Sequence, residues 1–454
     1  LKKMIFSFML ISIIASSGIA SLPAVQGIRV SDAGMDLVAN FIGLFQNDYA
    51  IATPYDFDLD GSGSAPSTTI PGSPPFMPYK RAPLVVNGEM RITPVTSPTQ
   101  SEDAIIALIE SANSTLYIEQ MYMYETLNDI LLAIIAAKNA GVDVRVIQDD
   151  GTYDHNDISA RILTKHGIPV RRMVENPSIG APFDTMHNKG VIVDGKVVLI
   201  SSTNWSPTSL RQNREAGVII ESTAVASYYQ DLFLYDWGKS VTFTGSNYPD
   251  PAPVKSHYFS PTTYSGKFDV TCLAAPDNCF DAVSATLAGA QTSIWISTYT
   301  LSSPFIIEVL EDRLAAGVEV RLLLAENPVS PEEQQYNLWT MACLVYAGAL
   351  TESGEIKYAS GRWASATFEY QHCKYAIVDG KTLIISSGNY AQTSCPKPQP
   401  DGDVDGNRDW WFIVRGSSSG VSGETPGAGP VFIILFALCA LIGVVARVRK
   451  QLVF

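Results

Sequence analysis

The sequence predicts an α/β fold of two similar halves, each an α/β/α sandwich, packed about a pseudo-twofold axis with the active site at their interface. Two observations predict this arrangement. The stretches that begin at Pro98 and Pro276 both read as helix, strand, helix and strand, and Ala112 and Ala290 follow these prolines at the same interval of 14 residues. In addition, one short polar motif follows each stretch inside an apolar hairpin pattern.

The elements of the first stretch follow from its apolar spacing. Ile105, Leu108, Ile109 and Ala112 recur at helical intervals, and TLYIEQMYMY is typical of a strand. Gly141 predicts the end of a second helix, just before the strand pattern VDVRVI. The second stretch repeats this order from APDNCFDAVSATLAGAQ to AAGVEVRLLLAE, so we expect both halves to share one architecture.

The hairpin patterns carry the polar motif. Each is a β-branched run interrupted by Asp-Gly, a strong hairpin signal, in GVIVDGKVVLISS and AIVDGKTLIISS. The motif has the form His-x-Lys-x-x-x-x-Asp and comprises His187, Lys189 and Asp194 in the first half and His372, Lys374 and Asp379 in the second. Because side chains on a strand alternate between faces, we expect the histidine and lysine of each motif to face the same side.

The two aspartates of the motif have two interpretations. Asp194 and Asp379 both precede a glycine, and an aspartate there is a normal residue of a type I′ turn. A structural role and a catalytic role therefore both stay open for them.

Further polar residues follow each motif at matching positions. Asn204 lies 17 residues after His187, and Asn389 lies 17 residues after His372. A third element, Asn-Arg-Glu in the first half and Asn-Arg-Asp in the second, supplies the carboxylates of Glu215 and Asp409, which can orient the histidines.

These residue types together predict phosphodiester chemistry. A phosphodiester needs a nucleophile, an acid for the leaving alkoxide and cationic donors for the phosphoryl oxygens. Two facing His-Lys pairs supply all three: one histidine attacks phosphorus to give a phosphohistidine, and the other protonates the leaving group and then activates water or an alcohol. No metal or other cofactor is needed for this chemistry.

Over residues 90–415 the motifs resemble those of the phospholipase D superfamily, HxKxxxxD followed by Ser-x-Asn and Asn-x-Glu. The resemblance implies that the two histidines are nucleophile and acid, with His187 favoured as nucleophile. It also implies phosphate-binding roles for Lys189, Lys374, Asn204, Asn389, Ser202 and Ser387, and a histidine-orienting role for Glu215 and Asp409. Asp409 replaces the usual glutamate, and an insertion precedes it, which puts the orienting residue of the second half in doubt.

Composition and terminal patterns divide the rest of the chain. The predicted segments are a signal peptide at 1–27, an N-terminal extension of unassigned role at 28–89, the first half at 90–240, a linker at 241–268, the second half at 269–415, a flexible tether at 416–430, an apolar transmembrane or sorting helix at 431–446 and a basic cytoplasmic tail at 447–454. The C-terminal region also resembles archaeal sorting signals. These patterns predict export and anchoring at the outer face of the cytoplasmic membrane.

The acidic stretches and the cysteines can also be interpreted. The acidic stretches DFDLDG and DGDVDG resemble the start of calcium loops but lack a glutamate at the twelfth position, which favours ordinary acidic loops. In an exported protein, Cys272 can pair with Cys279, and Cys343 with Cys395, which leaves Cys373 free.

The substrate is less defined than the reaction. A formal net charge of −14 disfavours strong nucleic-acid binding, which needs a basic footprint. With a membrane anchor, we expect a monomeric phospholipase D-like enzyme that acts on phospholipid head groups by hydrolysis or transphosphatidylation. A metal-independent surface endonuclease, with nucleic acid as substrate, and a cardiolipin synthase-like phosphatidyltransferase are alternatives. A non-catalytic phosphate-binding module is an alternative of another class.

Overall fold

The computed structural model describes most of the chain between residues 32 and 416. The described residues are 32–54, 63–65, 81–151, 154–174, 183–325, 328–348, 355–359, 368–398 and 406–416. The predicted signal peptide, C-terminal helix and tail lie outside these residues, as do the tether after residue 416 and almost all of both acidic stretches. No helix within these ranges is long and apolar enough to cross a membrane.

The first half consists of β-strands and the helices that connect them. In chain order its elements are β2 (Leu84–Ser97), α2 (Ser101–Glu110), β3 (Thr115–Gln120), α3 (Asn128–Asn139), β4 (Asp143–Asp149), α4 (Asp154–Lys165), β5 (Val170–Met173), β6 (Lys189–Val193), β7 (Val197–Ser201), α5 (Pro207–Arg211), β8 (Glu215–Glu221), α6 (Thr223–Lys239) and β9 (Val241–Thr242). The predicted end of the second helix is confirmed, because α3 ends at Asn139 and Gly141 adopts a φ of 91°.

The second half repeats this order. Its elements are β10 (Tyr264–Ala275), α7 (Cys279–Ala288), β11 (Ser293–Thr298), α8 (Pro304–Ala315), β12 (Glu319–Ala325), α9 (Pro331–Tyr346), β13 (Glu355–Ala359), β14 (Lys374–Val378), β15 (Thr382–Ser386) and β16 (Asp409–Arg415). Strand β10 begins inside the segment 241–268 that composition predicts as a linker. The second half therefore starts earlier than its amino-acid composition indicates.

All described strands join one sheet whose order is symmetric. The order is β1-β13-β12-β11-β14-β15-β16-β10-β2-β8-β7-β6-β3-β4-β5-β9, where β1 is Thr53–Pro54. Reading outward from the β10–β2 pair gives equivalent strands on both sides, which confirms the predicted duplication. Antiparallel pairing joins β10 to β2, with Asp269 opposite Asn87.

The repeat predicts that the strands of the two histidine motifs lie side by side at the pseudo-twofold axis, and the structure corrects this expectation. The strands that follow the two histidines, β6 and β14, are not neighbours: β15, β16, β10, β2, β8 and β7 lie between them. The long strands β2 and β10 form the junction between the halves instead. The histidine motifs meet through the chain segments that precede β6 and β14, which the next section describes.

Helices cover both faces of the sheet. Helices α2, α3 and α4 bury one apolar cluster against the first half, and α7, α8 and α9 bury an equivalent cluster against the second. A third cluster extends across both halves on the opposite face, beneath α6 and an N-terminal helix, α1 (Ala33–Ile51). This layering confirms the predicted α/β/α architecture.

Helix α1 lies within the segment 28–89, to which the repeat pattern assigns no role. The side chain of Asp32 caps its first turn by accepting hydrogen bonds from the backbone N–H groups of Gly34 and Met35. Its buried face, which includes Phe41 and Phe45, packs against the strands β10, β13, β14, β15 and β16 of the second half. On the first half, α6 covers the equivalent strands.

The described cysteines do not form the predicted disulfides. Cys272, Cys279, Cys343, Cys373 and Cys395 are all free thiols. The closest described pair is Cys279 with Cys395, whose Sγ atoms lie 3.7 Å apart, so neither predicted pairing matches the packing.

Candidate active site

The two histidine motifs meet because each half extends a short segment to the other. A β-bridge joins Met186, next to His187, to Arg408 of the second half, and a second joins Arg214 to Gln371, next to His372. Both histidines lie just before their strands rather than within them, since β6 and β14 begin at the lysines. Both line one cleft of about 550 Å³.

Each histidine is held by a carboxylate of the opposite half. The Nδ1 atom of His187 lies 2.9 Å from Oδ1 of Asp409, and the Nδ1 atom of His372 lies 2.8 Å from Oε2 of Glu215. Both carboxylates are fully buried. A proton on Nδ1 that is donated to the carboxylate leaves the lone pair on Nε2, the atom that can attack phosphorus or exchange a proton.

The predicted phosphate-binding serines instead hold these carboxylates. Ser202 Oγ donates to Oε2 of Glu215 at 2.6 Å, and Ser387 Oγ donates to Oδ1 of Asp409 at 2.7 Å. Both serines are fully buried and do not line the cleft. Because each hydroxyl is engaged by an orienting carboxylate, the assignment of these serines to phosphate binding is corrected; each serine directly follows the last residue of its strand, β7 or β15.

We predict a measurable effect of these serines on catalysis. Ser202→Ala should lower kcat about 10-fold with little change in KM, because a hydrogen bond to a charged group is worth about 1.5–3 kcal/mol and its loss frees Glu215 to move. Steady-state kinetics on a short-chain phosphodiester would measure the change. An increase in KM at constant kcat would instead return Ser202 to the phosphate-binding set.

The second carboxylate also needs a glycine beside it. A Cβ atom at Gly388 would lie 2.5 Å from Oδ2 of Asp409. Any larger residue there would displace Asp409 from His187. Although aspartate is shorter than the usual glutamate, Asp409 contacts His187, so it can orient the histidine in this half.

Both lysines of the motifs are fully buried next to their histidines, and neither of them lines the cleft in the described part of the chain. The ammonium of Lys374 donates to the carbonyl oxygen of His372 at 2.7 Å, and that of Lys189 donates to the carbonyl oxygen of His187. Burial lowers the pKa of Lys189 to about 7 and that of Lys374 to about 8. A bound phosphodiester anion would favour the charged form of both.

Burial also favours the neutral form of both histidines. It lowers the pKa of His187 despite the opposing charge of Asp409, and it lowers the pKa of His372 to about 4 despite the opposing charge of Glu215. The pKa of Asp409 is lowered: burial would raise it, but the charges of His187 and Lys189 prevail. At neutral pH an unprotonated imidazole is available as nucleophile.

The two asparagines of the Ser-x-Asn motifs lie in the same cleft as the two histidines. Asn204 and Asn389 both line the cleft, and the Oδ1 atom of each is buried without a hydrogen-bond partner among the described residues. Asn213 and Asn407 line the same cleft, and Nδ2 of Asn213 donates to Oε1 of Glu215 at 3.1 Å. The third sequence element contained these two asparagines, but only its carboxylates were assigned a role.

The structure does not bring Asp194 and Asp379 to the cleft. Each lies in the hairpin turn at the far end of its strand, with a φ of 54°. Asp194 accepts hydrogen bonds from the backbone N–H groups of Ser114 at 2.7 Å and Thr115 at 2.9 Å, and Asp379 accepts equivalent bonds from Thr292 and Ser293. Their assignment as catalytic residues is corrected to a structural role in each hairpin.

This role predicts a stability effect without a catalytic one. Asp194→Asn should lower the free energy of unfolding by about 1 kcal/mol and leave kcat unchanged, because the lost contacts are partly solvent-exposed backbone hydrogen bonds. Burial opposes charge on Asp194, but its hydrogen bonds prevail and lower its pKa to about 2. The stabilisation is thus present above the unfolded pKa of about 4 and lost as pH falls towards 2. Urea unfolding at pH 7 and pH 3 would measure it.

The cleft wall is neutral and polar. Among the described residues that line it, none is lysine or arginine, and Glu333 is the one carboxylate. The lining hydroxyl, amide and aromatic side chains outside the two motifs include Tyr122, Tyr124, Thr185, Ser206, Thr208, Ser209, Tyr299, Ser330, Tyr370, Thr393 and Ser394. No group of three or more His, Cys, Asp and Glu among the described residues is arranged to hold a metal ion.

This fold and site define a duplicated α/β protein in which two histidine-lysine motifs meet at one cleft. The family model "Cardiolipin synthase, PLD-like domain" matches residues 105–237 and 283–414, together more than half of the chain. The chain belongs to this family of the phospholipase D superfamily. The superfamily resemblance of the two motifs is thereby confirmed.

Individual relatives agree with this assignment. The chain is 24% identical over 320 residues to "Cardiolipin synthase" of Geobacillus kaustophilus, which covers 65% of this chain and 59% of that protein. It is 27% identical over 127 residues to "Phospholipase D Y" of Dictyostelium discoideum, and this matched region covers 26% of this chain and 28% of that protein. The chain thus spans less than two thirds of the length of both relatives. The crystal structure of phosphatidylserine synthase from Haemophilus influenzae shares the fold, with a TM-score of 0.53, 16% identity and coverage of 72% of this chain and 82% of that one.

Proposed function

We propose that the chain is a phosphatidyltransferase that moves a phosphatidyl group from a phospholipid to an alcohol acceptor. The observation that supports this proposal is a pair of histidines, each held by a carboxylate, at one cleft. The cleft wall is rich in hydroxyl and amide groups and has one carboxylate, Glu333. Such a wall suits a polyol head group, and the family match and the relatives named cardiolipin synthase support a transferase. The sequence predicts head-group cleavage by hydrolysis or transphosphatidylation, and the proposal takes its alternative, the cardiolipin synthase-like transferase, as the main function.

The reaction would proceed in two steps at one phosphorus. In the first, Nε2 of His187 forms a bond to phosphorus while the bond to the leaving alcohol breaks, and Nε2 of His372 gives its proton to the departing oxygen. Burial lowers the pKa of His372 in the empty site, so this step requires that Glu215 and the negative charge of the bound phosphodiester stabilise its protonated form. In the second, His372 takes the proton of the acceptor hydroxyl, whose oxygen bonds to phosphorus as the phosphorus–nitrogen bond breaks. Lys189, Lys374 and the two cleft asparagines would stabilise the phosphoryl oxygens.

A nuclease is the less favoured alternative. Single-stranded nucleic acid is bound by positively charged grooves that follow its backbone. The described wall of this cleft has no lysine or arginine, and its one charged group outside the histidines is the acid Glu333. A polyanion would gain little beyond the one phosphate at the two lysines.

A lipid substrate also fits the proposed location. From the sequence patterns at residues 1–27 and 431–446 we infer that the protein is exported and anchored at the outer face of the cytoplasmic membrane. External protease treatment of intact cells should remove the protein from the membrane fraction. Full protection from protease would contradict this location.

The reaction and substrate can be tested in one mixture. The full chain is incubated in EDTA with vesicles of phosphatidylglycerol and a fluorescent single-stranded oligonucleotide, and both are analysed by mass spectrometry. We expect a lipid with two phosphatidyl groups, released glycerol and an intact oligonucleotide, with no product from His372→Asn. Phosphatidic acid as the sole product would establish a hydrolase, and a shortened oligonucleotide would establish a nuclease.

The buried lysines predict how substrate affinity depends on pH. The pKa values of Lys189 and Lys374 are lowered to about 7 and about 8, so both ammonium groups are charged below this range and lose their protons as pH rises through it. We expect KM to rise about 10-fold between pH 6 and pH 9, while kcat changes less. Steady-state kinetics across this range would test it, and a KM independent of pH would contradict a role of the lysines in binding phosphate.

A further inference from the structure

Helix α1 occupies, on the second half, the position that α6 occupies on the first. Phe45 of α1 stacks on Trp295 of β11 with ring centroids 5.3 Å apart, and Phe233 of α6 stacks on Tyr117 of the equivalent strand β3 at 4.9 Å. Both helices bury aromatic residues in the same continuous core. The N-terminal helix therefore completes the second half as α6 completes the first.

Three residues beyond each stacked phenylalanine, both helices bury an aspartate that binds an arginine. Nη2 of Arg214 donates to Oδ1 of Asp48 at 3.0 Å, and Nε of Arg214 lies 3.0 Å from Oδ2. In the other half, Nε and Nη2 of Arg408 donate to Asp236 at 2.8 Å and 3.1 Å. Asp48 and Asp236 are 1% and 0% exposed, so both ion pairs are shielded from solvent. Asp236 accepts two hydrogen bonds from its arginine, and Asp48 accepts one beside the second close ionic contact.

These arginines are placed to control the histidines. Arg214 directly precedes Glu215, the carboxylate that holds His372. Its backbone N–H donates to the carbonyl oxygen of Tyr370 at 2.9 Å, and its own carbonyl oxygen accepts from the N–H of His372 at 2.9 Å. A shift of Arg214 would thus move Glu215 and the backbone of His372 together.

The two arginines are not equally supported. Arg408 binds a second buried carboxylate, Asp277, at 2.5 Å, and is fully buried. Among the described residues, Asp48 is the one carboxylate that contacts Arg214. The alignment of His372 therefore depends on α1 more than the alignment of His187 depends on α6.

We propose that Asp48, on the N-terminal helix α1, is a positioning residue for the active site that acts through Arg214 on Glu215 and His372. The proposal rests on the proposed function for its kinetic readout, but not for its spectroscopic one. Asp48 does not touch the cleft, and it contributes by fixing the backbone segment on which both groups are mounted. Residues 33–51 are then part of the catalytic unit, although they lie outside the two family-matched ranges.

A change in alignment would be visible in the titration of His372. The charged groups that face His372 are Glu215, which raises its pKa, and Lys374 and Lys189, which lower it, with burial as the largest cause of the lowered value. Displacement of Glu215 would leave the two lysines less opposed. The pKa of His372 would fall further, and the pH limb of kcat/KM that reports this histidine would move to lower pH.

The test compares Asp48→Asn with Asp36→Asn. Asp36 lies in the first turn of the same helix and is exposed, so its variant makes the same charge change away from Arg214. The chain has five histidines, so their ring protons can be assigned in NMR spectra of the full protein by single His→Gln variants and titrated individually. The kinetics of phosphodiester cleavage are measured on the same samples.

For Asp48→Asn we expect a lower pKa of His372, an unchanged pKa of His187, a kcat lower by about 30-fold and a KM within about 2-fold of wild type, since small misplacements of catalytic groups cost up to about 100-fold. Asp36→Asn should match the wild type in every readout. If Asp48→Asn does not fold, Asp48→Glu, which keeps the charge, should show the same changes at smaller size.

The contrary results are equally defined. A folded Asp48 variant with wild-type titration of His372 and wild-type kcat would overturn the proposal, and so would a drop in thermal stability without either change. If the wild type cleaves no phosphodiester, the proposed function fails, while the titration of His372 still decides the role of Asp48.

Discussion

His187→Asn and His372→Asn should each lower kcat for phosphodiester turnover by about 10⁴-fold or more, because each removes a group that takes part in a chemical step. The double variant should be no worse than the worse of the two, since the residues act as one unit. Both imidazoles contact fully buried carboxylates, so asparagine retains a hydrogen-bonding group and the fold should persist. Initial rates on a lipid and on a soluble phosphodiester would measure the loss.

A matched control is available on the surface. His166 contacts Asp250 at 2.9 Å and does not line the cleft, so His166→Asn should retain wild-type activity. Residual activity above about 1% in either cleft variant would contradict the two-step mechanism. It would favour a role in which the histidines only bind phosphate.

The second large effect follows from the crossed pairing of the halves. Glu215→Gln should act through His372 and Asp409→Asn through His187, with a loss of kcat of about 10²- to 10⁴-fold in each case, because an amide no longer stabilises the protonated imidazole. Glu215→Gln should add little to His372→Asn. Glu215→Gln should still lower activity when a poorer substrate slows the step that His187 carries out.

Titration of the individual histidines would test the crossing directly. Glu215→Gln should lower the pKa of His372 and leave that of His187 unchanged, and Asp409→Asn should do the reverse, because each histidine loses the carboxylate that raises its pKa. A shift at His187 in Glu215→Gln would contradict the geometry that places Glu215 2.8 Å from His372.

Much of the fold was predictable because the same pattern of helices and strands occurs twice in the sequence. Helical spacing in α2, the Asp-Gly hairpins and the glycine after α3 are local signals, and the repeat indicates that they recur. The motif residues His187, Lys189, His372 and Lys374 were predictable in the same way. Their type and spacing carry the chemistry whatever the tertiary packing.

What could not be predicted depends on contacts between distant segments. The pairing of Glu215 with the histidine of the other half, 157 residues away, follows from how the halves cross and has no local signal. Ser202 and Ser387 belong to a phosphate-binding motif by pattern, yet their orientation beneath the carboxylates required the sheet. Helix α1 was missed because it corresponds to α6 in space but precedes, rather than follows, the half that it completes.

A covalent phosphohistidine, formed on one of the two crossed histidine–carboxylate pairs, can be trapped and located. A 4-nitrophenyl phosphodiester has a leaving group that needs no acid, so His372→Asn should still be modified but should not complete the second step. Rapid alkaline quenching and peptide mass spectrometry should find the phosphoryl adduct on His187 in this variant, and none in His187→Asn. Release of 4-nitrophenol without any adduct on either histidine would contradict the account, and an adduct on His372 in His187→Asn alone would reverse the roles of the two histidines.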